Sequence, residues 1–164
     1  MSRKSQHIAT FTTQSGSGAF DPHYLAYFHC FNRQLFYEAH DALEELWLVD
    51  RHGPDGDFYK GLIQLAGAFV HAQKNRSGPA GALLRLARAH LEKYPPIHLQ
   101  LDRAAVCALI ANWSLQLESS PVNVGRLVIE TPPTLALFEV GARVPVEPEQ
   151  GRKARRGISS RSAK

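Results

Sequence analysis

The segment of residues 58–75 constrains the fold more than any other part of the sequence, because it is apolar on almost every side of a helix. Side chains of an α-helix advance by about 100° per residue. The apolar residues of this segment therefore point in nearly all directions: Leu62, Ile63, Leu65, Ala66, Ala68, Phe69 and Val70. A helix without a polar face is normally surrounded by other helices. The segment predicts a central helix in an all-α bundle.

Four more segments have helical patterns and good start or stop signals. Asp21, Asp57 and Asp102 are predicted N-cap residues, and Pro22 follows the first of them at a position where proline favours a helix start. Pro95 and Pro121 end the preceding helices. The predicted helices cover residues 23–31, 36–50, 58–75, 79–93 and 103–120. Short connections between them indicate a single-domain bundle of about five helices.

The bundle, residues 21–120, has irregular segments on both sides. Residues 1–20 lack hydrophobic periodicity and predict a flexible leader. Residues 121–150 predict an extended or irregular arm, in which Val122 to Ile129 forms a short strand or stays extended, because prolines punctuate the sequence that follows. Residues 151–164 predict a basic disordered tail.

The positive charge of the protein is a property of that tail. The chain has 19 basic and 15 acidic residues, and six of the basic residues lie in the last 14 positions without any acid. The remaining 150 residues hold 13 basic and 15 acidic side chains, a net charge of −2. We therefore predict no specific nucleic-acid partner for the bundle. The tail is expected to bind polyanions weakly and in a salt-dependent way.

Cysteine usage and hydropathy indicate a cytoplasmic protein. Cys30 and Cys107 are too few for a disulfide framework and lack metal-type spacing, so both are expected to be reduced core thiols. The N-terminal sequence has no continuous apolar region of the signal-peptide type. The longest nearly apolar run, residues 61–72, is much shorter than the roughly 20 residues that cross a bilayer. No membrane association is predicted.

The strongest chemical signal lies in the second helix, in the sequence FYEAHDALEELW of residues 36–47. His40 and Glu44 are one helical turn apart and lie at the apolar side of the helix, while Glu38 and Glu45 point away. A carboxylate drawn towards a core must be neutralised, paired or bound to a cation, because an unpaired buried charge is very costly. The position of Glu44 therefore predicts a chemical role.

The second and third helices form a natural antiparallel hairpin that brings further polar residues to this place. With a loop centred on residues 53–57, His40 faces His71, and Glu44 lies opposite Gly67. Two imidazoles and one carboxylate are a usual ligand set for catalytic zinc or non-haem iron. We predict a divalent metal, zinc or iron, at His40, Glu44 and His71, with three supporting residues at its edge: Tyr37, Trp47 and Gln64.

Two alternatives to a metal site follow from the same residues. The His-Glu pair, closed by Gln64 and His71, is a structural hydrogen-bond network that only fixes packing in a non-catalytic interaction module. In the second alternative, Glu44 and His40 form a metal-free acid/base site in which burial raises the pKa of the carboxylate. With a metal bound, Glu44 is the candidate catalytic residue of a hydrolase-like site.

The run FNRQLFYEAHDALEELW, followed by GLIQLAGAFVH and GALLRLARAHLEKYPP, resembles the bacterial and archaeal family called domain of unknown function 309. The motif that carries the resemblance is His-x-x-x-Glu-x-x-Trp, present as His40, Glu44 and Trp47. The resemblance covers residues 27–94. It implies a small all-helical fold and a suggested metal-binding role for the motif, and it supplies no activity. The substrate, the partners and a homo-oligomeric state stay open.

Overall fold

The computed structural model describes residues 20–138, which form a mostly helical domain. Its helices are α1 (Pro22–Asn32), α2 (Phe36–Val49), α3 (Gly56–Gln73), α4 (Ser77–Leu91), α5 (Arg103–Ser119) and α6 (Val124–Glu130). A two-stranded antiparallel sheet lies between α4 and α5, with strands β1 (Ile97–His98) and β2 (Leu101–Asp102). The predicted all-α fold class is confirmed. The predicted leader up to residue 19 and the predicted basic tail lie outside the described residues.

Helix α3 is the centre of the bundle, as its sequence predicts. It packs against α2, α4 and α6, while α1 covers α2 and α5 covers α4. Its buried side chains include Phe58, Leu62 and Phe69, none of which is more than 1% exposed. Phe69 joins the aromatic rings of Phe36 and Trp113, with ring centroids 5.1 Å away in both cases. The hydrophobic core therefore surrounds α3 on most of its circumference.

The N-caps predicted at Asp21 and Asp102 are present. Asp21 Oδ1 accepts a hydrogen bond of 2.8 Å from the backbone N–H of His23, and Asp102 Oδ1 accepts one of 2.8 Å from that of Ala105. Each carboxylate satisfies one of the N–H groups that lack a partner at the start of a helix. These local signals explain why the starts of α1 and α5 could be predicted to within one residue.

The prediction for residues 122–129 is wrong, because this segment contains helix α6. Val124 and Val128, one turn apart, are fully buried against α3. Gly125 lies so close to the end of α3 that an added Cβ would come within 2.8 Å of the Gln73 carbonyl oxygen. Its N–H donates a hydrogen bond of 2.9 Å to Asn75 Oδ1. Tertiary packing has overridden the β-branched composition that suggested a strand.

The segment after α6 is irregular, as predicted, and it is tied down at two places. Asn32 forms paired hydrogen bonds of 2.7 Å with the backbone N–H and C=O of Leu135. Leu137 forms an isolated bridge with Leu101, and the N–H of Phe138 donates to the Gln100 carbonyl at 2.7 Å. Residues 131–138 therefore cross the bundle as a fixed strap.

No helix within residues 20–138 combines the length and the hydropathy that crossing a bilayer requires. Cys30 and Cys107 are both free thiols, which confirms that they form no disulfide.

Candidate metal centre

Helix α2 places His40, Asp41 and Glu44 beside one another at the edge of its buried face. Its buried residues are Phe36, Ala39, Ala42 and Leu43, which fix the rotation of the helix against the core. The side chains of His40, Asp41 and Glu44 are 31%, 29% and 44% exposed. The site is therefore accessible from solvent, and the prediction of a site enclosed within apolar helices is wrong.

The three side chains form a compact group of potential metal ligands. Each offers one nitrogen or oxygen atom, and these atoms all lie within 4.8 Å of one another. His40 Nδ1 is 3.4 Å from Asp41 Oδ1 and 3.9 Å from Glu44 Oε2. Although it is buried and close to both carboxylates, His40 Nδ1 has no aligned hydrogen-bond partner in the described chain. A buried nitrogen beside two carboxylate oxygens is the arrangement that a bound cation would complete.

Helix α3 faces this group with four residues that share one stripe of its surface: Lys60, Gln64, Gly67 and His71. A Cβ at Gly67 would lie 3.9 Å from His40 Cδ2, so Gly67 is the residue beside the imidazole. The Lys60 ammonium lies 6.0 Å from the centre of the Trp47 ring. The predicted hairpin has different neighbours. In it, Gly67 lies opposite Glu44, and Gln64 lies near Trp47. The two helices are displaced by about one turn from that register.

The displacement follows from where the helices end. Helix α2 ends at Val49 and α3 begins at Gly56, so the connection is centred several residues earlier than the predicted loop. Asp57 does not cap α3. Its carboxylate instead lies 2.7 Å from Lys93 Nζ and 3.1 Å from His90 Nδ1. The Lys93 ammonium holds the pKa of the Asp57 carboxyl below its ordinary value.

His71 lies one turn beyond Gly67 and does not belong to the group of atoms within 4.8 Å of one another. Its Nδ1 is buried without a hydrogen-bond partner among residues 20–138, and the same holds for Gln64 Oε1 and Trp47 Nε1. Tyr37 is 51% exposed, and its ring lies nearly parallel to that of His40 with centroids 6.5 Å apart. Tyr37 therefore lies beside His40, whereas the supporting roles of Trp47 and Gln64 and the role of His71 as a ligand stay predictions.

Asp41 is the residue that the sequence analysis missed. It precedes Glu44 by three residues, which makes the two carboxylates neighbours on the helix surface. The spacing of Asp41 and Glu44 is visible in the sequence, but the apolar stripe of α2 indicates only His40 and Glu44 as polar residues at the apolar side of the helix. The structure places the carboxylate of Asp41 in the same group as His40 and Glu44. The candidate ligand set therefore changes from two imidazoles and one carboxylate to one imidazole and two carboxylates.

The fold and the site define a small, mostly helical domain with a His/Asp/Glu group at the edge of its second helix. Residues 24–83 match the sequence profile of the family described as Domain of unknown function (DUF309). The match contains most of α1, all of α2 and α3 and the first part of α4, and therefore every candidate ligand. Comparison with curated proteins and with solved structures gave no significant match.

Proposed function

We propose that His40, Asp41 and Glu44 bind a divalent metal ion. The observation that carries this proposal is the compactness of the group, three ligand atoms within 4.8 Å of one another on a single turn of helix. The buried and unpartnered Nδ1 of His40 adds a physical reason, because a buried polar atom without a partner costs about 1–3 kcal/mol. A cation would satisfy this atom and neutralise the two carboxylates together.

The ligand set favours a metal that accepts both imidazole nitrogen and carboxylate oxygen, as zinc and iron do. Three protein ligands on one accessible edge leave coordination positions open, which is the pattern of catalytic sites rather than of closed structural sites. The exposure of Glu44, at 44%, gives a small molecule access to this edge. These features favour a metal site of the catalytic type over a closed metal site that only stabilises the fold.

A hydrolase-like activity is the extension of this proposal. When bound, the metal would supply Lewis acidity and lower the pKa of a coordinated water. Glu44 is the most exposed of the three groups and lies further from His40 Nδ1 than Asp41 does. It is therefore the carboxylate best placed to hold a proton taken from a reacting molecule.

The alternative, a network that only fixes packing, has less support. Such a network stabilises a fold when its polar atoms satisfy one another. Here four buried polar atoms of the facing helices have no partner among the described residues: His40 Nδ1, Trp47 Nε1, Gln64 Oε1 and His71 Nδ1. No hydrogen bond within residues 20–138 joins Gln64 to either His40 or His71. A module that uses these residues only for packing would leave their polar atoms unpaired.

The test is calorimetric titration of the metal-free protein, purified without a histidine tag, with Zn²⁺ and with Fe²⁺ under anaerobic conditions. We expect one site per chain in the wild type. Asp41→Asn should weaken binding at least about 100-fold, since it removes a charged ligand, whereas His71→Gln should change the affinity less than about threefold. Glu38→Gln, a carboxylate change on the exposed face of the same helix, is the control.

This titration distinguishes the ligand set predicted from the sequence from the ligand set proposed from the structure. Loss of binding in His71→Gln with retention in Asp41→Asn would support the set predicted from the sequence and contradict the set proposed from the structure. Absence of binding in the wild type would refute the metal site altogether. Turnover of p-nitrophenyl acetate or bis(p-nitrophenyl) phosphate by the metal-loaded wild type that is absent from the metal-free protein would support hydrolysis. Binding without turnover of either compound would count against the extension alone.

A further inference from the structure

Helix α5 has an outer face without any charge. The helix packs against α4 and β1. Its buried side consists of four apolar residues: Val106, Ile110, Trp113 and Leu117. The opposite side is exposed, yet residues 104–117 contain no charged side chain. The exposed sides of α2 and α4, by contrast, carry Glu45 and Arg85. A helix at the periphery of a bundle normally exposes charged residues, so this uncharged face needs an explanation.

The outer face of α5 has a symmetry that suits a second copy of the same helix. At about 100° per residue, six residues lie within about 50° of its centre line: Ala104, Ala108, Ala111, Asn112, Leu115 and Ser119. Each of them has a counterpart at the same distance from the midpoint between residues 111 and 112. When two copies of α5 pack antiparallel at this midpoint, Ala108 of each copy lies opposite Leu115 of the other. A face that pairs with itself in this way is the property of a two-fold interface.

The pairing of Ala108 with Leu115 places a small side chain opposite a large one. Leu115 is 63% exposed and is the largest side chain of the face. Ala108 lines an open groove between α5 and residues 131–134, so the protruding leucine meets a concave surface. Helix pairs pack in this way, with side chains of one helix in the grooves and holes of the other. The second copy would therefore remove the exposed apolar area of Leu115 from water.

Ala111 and Asn112 lie at the centre of the face, next to the two-fold axis of such a pair. The short side chain of Ala111 lets the two helix axes approach to about 8 Å. Asn112 of one copy then lies beside Asn112 of the other, and the two amides can pair because each offers hydrogen-bond donors and an acceptor. A single asparagine in an apolar helix interface specifies the register and the number of chains. Only a second copy of this chain places Asn112 beside its own counterpart.

The charges at the two ends of α5 agree with an antiparallel pair. Arg103 and Glu118 are the charged residues of the helix, and they lie on the same flank at opposite ends. In an antiparallel pair, Arg103 of one copy therefore lies on the same flank and at the same end as Glu118 of the other. A parallel pair would bring like charges together instead. Complementary charges of this kind select the partner and its orientation.

We propose that the outer face of α5 is a dimer interface, in which α5 of a second copy packs antiparallel about a two-fold axis between residues 111 and 112. The metal centre lies on α2, which contributes no residue to this face, so neither proposal depends on the other. One pair of 17-residue helices forms an interface at the low end of the size range of specific complexes. We therefore expect a Kd on the order of 10 µM.

Sedimentation equilibrium of the full-length protein at concentrations up to about 200 µM measures this association. The wild type should approach twice the chain mass of 18.2 kDa. Ala108→Glu should raise the Kd at least about 100-fold, because it places two carboxylates in the apolar centre of the interface. Ala89→Glu, the same change at an exposed alanine of α4, is the matched control and should alter the Kd less than about threefold. A dimer that Ala108→Glu leaves intact would overturn the proposal. A wild type that stays monomeric would also overturn it and leave the face to residues 139–164 or to a different protein.

A charge exchange tests the antiparallel orientation. Glu118→Arg places like charges together at both ends of the interface and should raise the Kd about tenfold. Arg103→Glu in the same chain restores opposite charges, so the double variant should return to within about threefold of the wild type. A double variant that is folded by circular dichroism and does not recover would overturn the antiparallel pair. This exchange decides the question even if the Ala108 variant fails to fold.

Discussion

Helix α3 contributes to two neighbouring regions, in one of which buried polar atoms are hydrogen-bonded and in the other of which they are not. On the core side, buried hydroxyl groups have partners: Tyr27 is fully buried, and its hydroxyl donates a hydrogen bond of 2.8 Å to the Leu62 carbonyl. On the other side, His40 Nδ1, Gln64 Oε1 and His71 Nδ1 are buried atoms without a partner among residues 20–138. The same helix therefore borders paired polar atoms in one region and unpaired ones in the other.

The difference distinguishes buried polar atoms that the fold pairs by hydrogen bonds from buried polar atoms that it leaves unpaired. Buried polar groups in proteins are nearly always hydrogen-bonded, so unpaired ones need an explanation. The hydrogen bond of Tyr27 demonstrates that this bundle can supply a hydrogen-bond partner to a polar group in its core. The unpaired atoms on the other side lie on the two helices that carry the candidate ligands or face them, and the bound ion that we propose would explain why they are unpaired. The predictions below test this contrast, beginning with the largest expected effect.

The core side should respond strongly to loss of volume. Phe69 is 1% exposed and contacts the rings of Phe31, Phe36 and Trp113. Phe69→Ala should lower the free energy of unfolding by about 3–5 kcal/mol, because it removes buried surface and leaves a cavity. Urea denaturation followed by circular dichroism measures this change. Leu86→Ala, at a residue that is 49% exposed, should cost much less. Equal losses in the two variants would mean that α3 is not the centre of the core.

The metal side should show the opposite behaviour. Glu44→Gln removes a half-exposed charge next to Asp41, so the metal-free variant should be as stable as the wild type or slightly more stable. Metal at about 100 times its Kd should stabilise the wild type by about 2.7 kcal/mol, and the variant should lose most of that gain. Thermal unfolding with and without Zn²⁺ measures both effects. A metal-free variant that is clearly less stable would favour a structural role for Glu44.

Tyr27 tests the core side through pH. Burial raises the pKa of its hydroxyl well above the ordinary value, so the folded protein keeps a proton that the unfolded chain loses above about pH 10. The unfolded state then binds fewer protons, and stability falls as pH rises above that value, by up to about 1.4 kcal/mol per pH unit for this residue. The loss is absent at pH 7.

Tyr27→Phe removes this dependence together with the hydrogen bond to Leu62. We expect the variant to be less stable than the wild type by about 1–1.5 kcal/mol at pH 7, the usual net effect of one hydrogen bond. The gap should narrow or reverse at pH 11, because only the wild type must hold the Tyr27 proton. Urea denaturation at both pH values is the measurement. A gap that stays constant would contradict the assigned cause.

The smallest effect is expected at Gln64. Gln64→Leu replaces an amide whose buried oxygen has no partner in the described residues by an apolar group of similar size. Such a change should leave the free energy of unfolding unchanged or raise it by up to about 1 kcal/mol. Urea denaturation of the metal-free protein is again the measurement. A loss of more than about 1 kcal/mol would show that the amide has a partner, and the contrast between the two regions would then weaken.

The sequence predicts the helices well because their signals are local. The apolar pattern of residues 58–75 identifies α3, and the side chains of Asp21 and Asp102 cap the helices that they were expected to cap. Helix α6 could not be predicted in this way, since its pattern of Val124 and Val128 is short and its β-branched residues favour a strand. Only packing against the end of α3 makes that segment helical.

The candidate site was predicted in its position but not in its details. His40 and Glu44 belong to one turn of one helix, so their proximity follows from helical geometry alone. The pairing of His40 with residues of α3 depends on where the connecting loop begins and ends, and one turn of error changes every facing residue. Asp57, as a predicted N-cap, suggested a later start for α3, at residue 58 instead of Gly56. Asp55 binds His98 at 2.7 Å, an interaction with a distant hairpin that the sequence does not reveal.

The paired hydrogen bonds between Asn32 and Leu135 also have a kinetic consequence. They join residues that are 103 positions apart in the chain, so they can form only after nearly the whole domain has been brought together. Closing so long a loop costs conformational entropy that shorter-range contacts do not, and contacts of this kind form late in folding. The strap of residues 131–138 should therefore dock last and detach first, and hydrogen exchange at Leu135 should be faster than in α3.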